Sequence, residues 1–150
     1  MAILKIQLVT PERTVLSEEV SSLTCPTTDG YITILPNHAP LIATLISGEL
    51  SAKNGSEEHF IHVAGGFVQV QANNEVILLA DGAEHFYEID VARAEEAKKE
   101  AEKTLAEQTL FSEEYALAAA VLQKSLSRIK IARKHAHRRT GITHEGVFDQ

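Results

Sequence analysis

Histidine is the side chain that most readily moves a proton near neutral pH or ligates a metal, and this chain has seven. His38 stands between two prolines in Leu35-Pro36-Asn37-His38-Ala39-Pro40-Leu41. A general base needs a nucleophile or carboxylate within hydrogen-bond reach, and none lies nearby in sequence, so His38 reads as a turn residue. His59 and His62 are spaced i, i+3 in a strand pattern. They point to opposite faces and cannot chelate one metal from a regular strand. His85 is isolated. His135, His137 and His144 fall in a polar stretch that could gather a transition metal, but nothing fixes a geometry, and no metal site is expected. Cys25 sits in an alternating apolar run before Pro26 and reads as a small core residue. As the single cysteine it can form no internal disulfide. Gly65-Gly66 precedes a strand pattern, not a helix, which implies a bulge or a close backbone approach and not a phosphate cradle. No P-loop spacing occurs, so nucleotide hydrolysis by this chain is not expected, and no residue is assigned as catalytic.

The remaining chemistry is charge. Net charge is -7 over 150 residues, which argues against nucleic acid as a partner. Residues 1–88 carry 3 Lys/Arg against 11 Asp/Glu, and residues 89–134 carry 9 against 8. Residues 115–134 hold Lys124, Arg128, Lys130, Arg133 and Lys134 with no acid. The chain therefore has an acidic first half and a basic helix near its end.

The elements that must position these residues fall into two periodicities. Through residue 88 the pattern is that of strands. Leu4, Ile6 and Leu8 alternate with Lys5 and Gln7, and similar runs recur at Thr14–Leu16, Val20–Cys25, Tyr31–Leu35, Leu41–Ile46, Glu49–Lys53, His59–Ala64, Phe67–Gln71 and Val76–Ala80. Turn residues separate them at Thr10-Pro11, Asp29-Gly30, Ser47-Gly48, Asn54-Gly55 and Asn73-Asn74. Asn54-Gly55 is the strongest hairpin signal, since both residues tolerate positive φ. Many short strands at this spacing imply an antiparallel sandwich or barrel.

From Asp90 to about Lys134 there is no Gly or Pro, and Ala, Glu and Lys dominate. Such composition predicts helix. Leu110-Phe111-Ser112 interrupts it, and Ser112 is a natural N-cap with Glu113 and Glu114 in the first turn. Two helices, about 90–108 and 113–134, are expected as an antiparallel hairpin. The second carries an apolar stripe of Tyr115, Ala118, Ala119, Leu122, Leu126 and Ile129. The first is poorer, with Ala94, Ala97, Ala101 and Leu105. Alanine contacts bury little area at ~25 cal/mol per Å², so the hairpin should be weakly held and is a candidate two-state element. Residues 135–150 mix Gly, His and polar types and are expected to be disordered. No apolar run approaches the ~20 residues of a membrane span, and the N-terminus lacks the regions of a signal peptide. A cytoplasmic protein is expected, with membrane association only through partners. The domains are thus a β-sandwich at 1–88, a helical hairpin at 89–134 and a tail at 135–150.

Four motifs on this architecture resemble one family. Leu35-Pro36-Asn37-His38-Ala39-Pro40-Leu41 looks like the Pro-Gly-His-Ala-Pro-Leu segment of the epsilon subunit of bacterial F-type ATP synthases. Gly65-Gly66-Phe67-Val68-Gln69-Val70, Val76–Asp81 followed by Glu84, and Ile89-Asp90-Val91-Ala92-Arg93-Ala94 resemble that family's segments in the same order. The chain departs at Tyr31, often acidic in the family, at Thr33, often Gly, and at Asn37, where Asn replaces Gly and can hold positive φ.

The resemblance implies a non-catalytic rotor subunit on the cytoplasmic face of the bacterial membrane. The sandwich would bind the gamma subunit and the ring of c subunits. The hairpin would fold on the sandwich or extend into the alpha/beta catalytic head, where the extended form blocks ATP hydrolysis. Tyr31, His38 and Pro40 would then face partners, and Lys130, Arg133 and Lys134 would meet acidic segments of the head. No cofactor is required. ATP is implied as a regulatory ligand by positions matching the family's ATP binders: Glu84, Ile89, Asp90, Arg93 and Ala94, with Lys124 and Arg128 at i, i+4. Lys124 stands where the family's binders carry arginine and lacks its bidentate fork. The alternative role for Asp90 and Arg93 is structural, as a helix cap and a local pair. At the level of function, the alternatives are a rotor adaptor without switching and a small β-barrel ligand-binding module. The latter would need convergent polar groups that the sequence does not show.

Overall fold

The computed structural model describes residues 2–136. The chain divides into two compact units, Met1–His85 and Phe86 onward.

The first unit holds β1 (Leu4–Val9), β2 (Thr14–Val20), β3 (Ser22–Thr27), β4 (Gly30–Ile34), β5 (Leu41–Asn54), β6 (Glu57–Val70), β7 (Glu75–Ala80) and β8 (Ala83–His85). They form one sheet in the order β2-β1-β7-β6-β5-β3-β4, with β8 added on β6. The sheet closes over a single core as a β-sandwich. Pairings are antiparallel except β1 with β7, which run parallel. The alternation read in β1 is literal: Leu4, Ile6 and Leu8 are buried, Lys5 and Gln7 exposed. Leu23, Ile34, Leu50, Ile61, Val68 and Leu78 complete the largest part of the core.

Four short strands of the sequence reading merge into two. Leu41–Ile46 and Glu49–Lys53 are one strand, β5. His59–Ala64 and Phe67–Gln71 fall in one strand, β6, which ends at Val70. Gly48 is therefore no turn. A side chain there would meet Pro26 Cβ at 2.9 Å and the Tyr31 hydroxyl at 3.3 Å, so glycine clears space for the neighbouring strands. Gly65 and Gly66 take φ 113° and 134°, and a Cβ on Gly66 would collide with the Leu79 backbone. Here the expected close backbone approach is found, inside a continuous strand. The β3–β5 register shifts between Thr24 and Thr27, around Pro26, which has no N–H to offer the ladder. At the β5–β6 turn only Gly55 holds positive φ (62°), while Asn54 pairs with Glu57 as the last strand residue. β8 had no sequence signal, being three residues long.

The second unit begins with one 3-10 turn, Phe86–Glu88, followed by α1 (Val91–Glu107) and α2 (Glu113–Lys134). Both caps are those the sequence offers. Asp90 accepts a hydrogen bond from the Arg93 backbone N–H at 3.1 Å, and Ser112 accepts one from Tyr115 N–H at 3.1 Å. The apolar stripe of α2 is corrected in one place: Ser125 is buried and Leu126 exposed. The buried residues of α2 are Ala118, Ser125, Ile129, Ile131 and Ala132, and the burial of Ser125 is what hydrophobicity alone does not find. His135, read as part of the tail, is instead the C-cap of α2. It is buried, with its ring centroid 5.5 Å from that of Phe86. The rest of the expected tail, with His137 and His144, lies outside the described residues. No described helix is long and apolar enough to cross a membrane.

Candidate functional site

The alternation of its strands gives the sandwich an outward face. Val68, Val70, Val76 and Leu78 point to the core, so Phe67, Gln69, Ile77 and Leu79 point outward. Cross-strand register sets Thr44 on β5, Phe67 on β6, Leu79 on β7 and Val9 on β1 in one row. Phe67 and Leu79 are 57% and 55% exposed. Ile42, one pair further along β5, is also exposed. Water-facing positions of a strand are normally polar. Here the row carries the large apolar groups Phe67 and Leu79 instead.

The loop carrying His38 is held rigidly. Asn37 takes φ 68°, the His38 N–H donates to Leu35 carbonyl oxygen at 3.1 Å, and the Asn37 N–H donates to Asn74 Oδ1 at 2.6 Å. The His38 ring donates from Nδ1 to the Ala39 carbonyl at 2.7 Å, a local bond that fixes a turn. Tyr31 and Pro40 are exposed.

The other histidines bridge strands. His59 Nε2 lies 2.8 Å from Glu18 Oε2 on β2, and its ring centroid is 6.1 Å from that of His85. His85 Nε2 donates to the Val15 carbonyl at 3.2 Å. His62 is buried, with Nδ1 3.8 Å from Glu84 Oε1. Among the described residues no group of three His, Cys, Asp or Glu could hold a metal ion. Cys25 is fully buried, and burial pushes its thiol up to about 12.

In the helical unit the positions singled out for ATP separate by role. Asp90 is engaged as the N-cap of α1. Ile89 and Ala94 are buried. Arg93 is exposed and lines a groove between α1 and α2 of about 580 Å³. Ala97, Ala101 and Ala118 also line it, with Leu117 and Val121, and Glu96, Glu100 and Glu114 add carboxylates. Lys124 is exposed on α2, one turn before Arg128. Glu84 belongs to β8 of the first unit, beside His62. Of the basic residues assigned to partners, Arg133 is ion-paired with Glu95 across the hairpin, and Lys130 and Lys134 are exposed. Sequence reasoning missed the outward row of Phe67 and Leu79 and the groove. The first was legible as apolar residues on both faces of β6 and β7. The second depends on how the two helices pack.

Two family models match in tandem. Residues 3–86 match the ATP synthase delta/epsilon chain β-sandwich domain, and residues 88–133 match the ATP synthase delta/epsilon chain long α-helix domain. The ATP synthase epsilon chain of Dehalococcoides mccartyi is 46% identical over 134 residues, covering 89% of this chain and 95% of that one. The epsilon chain of Pelotomaculum thermopropionicum is 46% identical over 105 residues, 70% of this chain and 78% of that one. Among solved structures, a chain of the Euglena gracilis mitochondrial ATP synthase OSCP/F1/c-ring assembly superposes with a TM-score of 0.75. It shares 22% identity, over 85% of this chain and 79% of that chain. A chain of the Tetrahymena thermophila mitochondrial ATP synthase central stalk and c-ring gives 0.65 at 18% identity, over 86% and 96%. These two likenesses concern the fold. The matched domains, their order and the identity to curated relatives establish that this chain belongs to the ATP synthase delta/epsilon chain family.

Proposed function

We propose that this chain is the epsilon subunit of the central stalk of a bacterial proton-translocating ATP synthase, a non-catalytic part that couples the rotor and restrains ATP hydrolysis. The observation that carries the coupling role is the outward row of Phe67, Leu79 and Val9, with exposed Ile42 on the same sheet face. Burying such a row against a partner gains ~25 cal/mol per Å² of apolar area. The partner in this reading is the gamma subunit, with the His38–Pro40 turn at the edge of the same contact. Tyr31 belongs to the surface that meets the c-ring. The protein sits peripherally at the cytoplasmic face of the membrane, held by these partners.

Restraint is assigned to the hairpin. Its buried residues in α1 are alanines, Ala94 and Ala101, so its resting position is separated from others by only a few kcal/mol. In its inhibitory position Lys130, Arg133 and Lys134 meet acidic segments of the alpha/beta head. ATP acts as a weak regulatory ligand on Arg93, Lys124 and Arg128, opposed by the carboxylates Glu96 and Glu100 that line the same groove as Arg93.

The test is binding of the purified chain to a gamma-containing catalytic complex that lacks epsilon. Phe67→Asp with Leu79→Asp should weaken binding at least about tenfold, with the melting temperature little changed because both side chains already face water. Unchanged affinity would remove the sandwich face from the interface.

A further inference from the structure

The groove between the two helices extends well beyond the ATP contact assigned to Arg93 at its one end. From Arg93 to Thr104 along α1, the groove runs about 17 Å, three helical turns. Its α2 wall runs from Glu114 to Val121. Ala97, Ala101 and Ala118 are too small to fill the space between the helices, while Leu117 is 62% exposed and Val121 is exposed beside it. At the hairpin tip Leu110 and Phe111 are exposed as well, Phe111 to 96%. Glu96, Glu100 and Glu114 line the groove against one cation, Arg93.

We infer that this groove is a docking site for an amphipathic helix whose apolar stripe is flanked by Lys and Arg. The length fits three turns of helix, and the small side chains admit the ridge of a third helix. The exposed Leu117 and Val121 supply the apolar contact, and the three carboxylates select a basic flank. An acidic helix is rejected by the same groups. The inference rests on the rotor reading, since the occupant is then a helix of a neighbouring subunit reached by the hairpin. It names the chemistry of that helix and leaves the sandwich contact untouched.

The experiment uses the full-length chain and a fluorescent amphipathic peptide of leucine and lysine, about 18 residues or five turns long, with a leucine–glutamate counterpart. Anisotropy should show the lysine peptide binding at least about tenfold more tightly than the glutamate peptide. Glu100→Lys with Glu114→Lys should abolish that preference, and Leu117→Asp should weaken binding of the lysine peptide by a similar factor. Glu19→Lys with Glu57→Lys, exposed on the sandwich, should change it less than about twofold. Circular dichroism of each variant verifies that the hairpin remains helical. The inference is overturned if the sandwich reversals weaken binding as much as the groove reversals, since attraction is then only to net charge. It is also overturned if both peptides bind alike, or if sedimentation shows that a second copy of the chain fills the groove. Binding of the groove variants to the epsilon-free complex through the sandwich separates this outcome from failure of the rotor reading itself.

Discussion

Arg133 near the end of α2 is ion-paired with Glu95 in the second turn of α1, so the residue assigned to the catalytic head is already engaged within the hairpin. Arg133 is largely exposed and Glu95 partly so, which places the pair at ~0–1 kcal/mol and makes it sensitive to salt. Glu95→Gln should therefore lower hairpin stability by no more than about 1 kcal/mol, and less at high ionic strength. In the assembled complex it should strengthen inhibition of ATP hydrolysis, because Arg133 no longer has an internal partner. Hydrogen exchange of α2 amides in the free chain, with hydrolysis rates of the complex, measures both halves of this prediction.

Asp90 separates two roles. As the N-cap of α1 it should cost about 1 kcal/mol when replaced by Ala, seen as faster exchange of the Ala92, Arg93 and Ala94 amides. Asp90→Asn keeps an equally good cap. If Asn restores the slow exchange and ATP affinity is unchanged, capping is the whole role. If exchange is restored but ATP affinity falls, Asp90 also acts on the nucleotide.

Gly66 is required by geometry. Gly66→Ala puts a methyl group into the Leu79 backbone at a φ of 134°, and should destabilise the sandwich by about 3 kcal/mol or more. Gly30→Ala, at φ 101° with open space around it, should cost clearly less. Thermal or urea denaturation of the two variants ranks them.

Cys25 predicts an alkaline limb of stability. Its thiol is raised from 9.0 to about 12 by burial. The unfolded chain loses this proton near 9 while the folded chain keeps it. The contribution of the neutral thiol is fully present below 9 and is lost as pH rises from 9 toward 12. Cys25→Ala should flatten that part of the stability profile while lowering stability at neutral pH. The thiol should resist alkylation at pH 8 until the chain unfolds.

What the sequence made legible is local. Strand alternation in β1 and the caps at Asp90 and Ser112 depend on neighbours within a few residues, and the sequence carries them in full. What it concealed depends on distant chain segments. Gly48 reads as a turn until Pro26 and Tyr31 are seen above it, and Gly66 lies within a strand because the Leu79 backbone crosses it. Leu126 outranks Ser125 on any hydrophobicity scale, yet Ser125 is the buried one, since a small side chain suits a close approach. His135 reads as tail because nothing nearby in sequence announces Phe86, 49 positions earlier. The groove was hidden for the same reason, since it is assembled from two helices, whereas the outward row was written in β6 and β7 as apolar residues on both faces.

Add-back to an epsilon-free ATP synthase catalytic complex asks whether a rotor-binding sandwich carries a restraining hairpin. ATP hydrolysis is measured with the full chain and with residues 1–88 alone, binding of each being verified first. Both should bind, and only the full chain should slow hydrolysis. Binding of both with no inhibition by either would contradict the restraining role, and failure of the folded sandwich to bind a matched gamma subunit would contradict the rotor role.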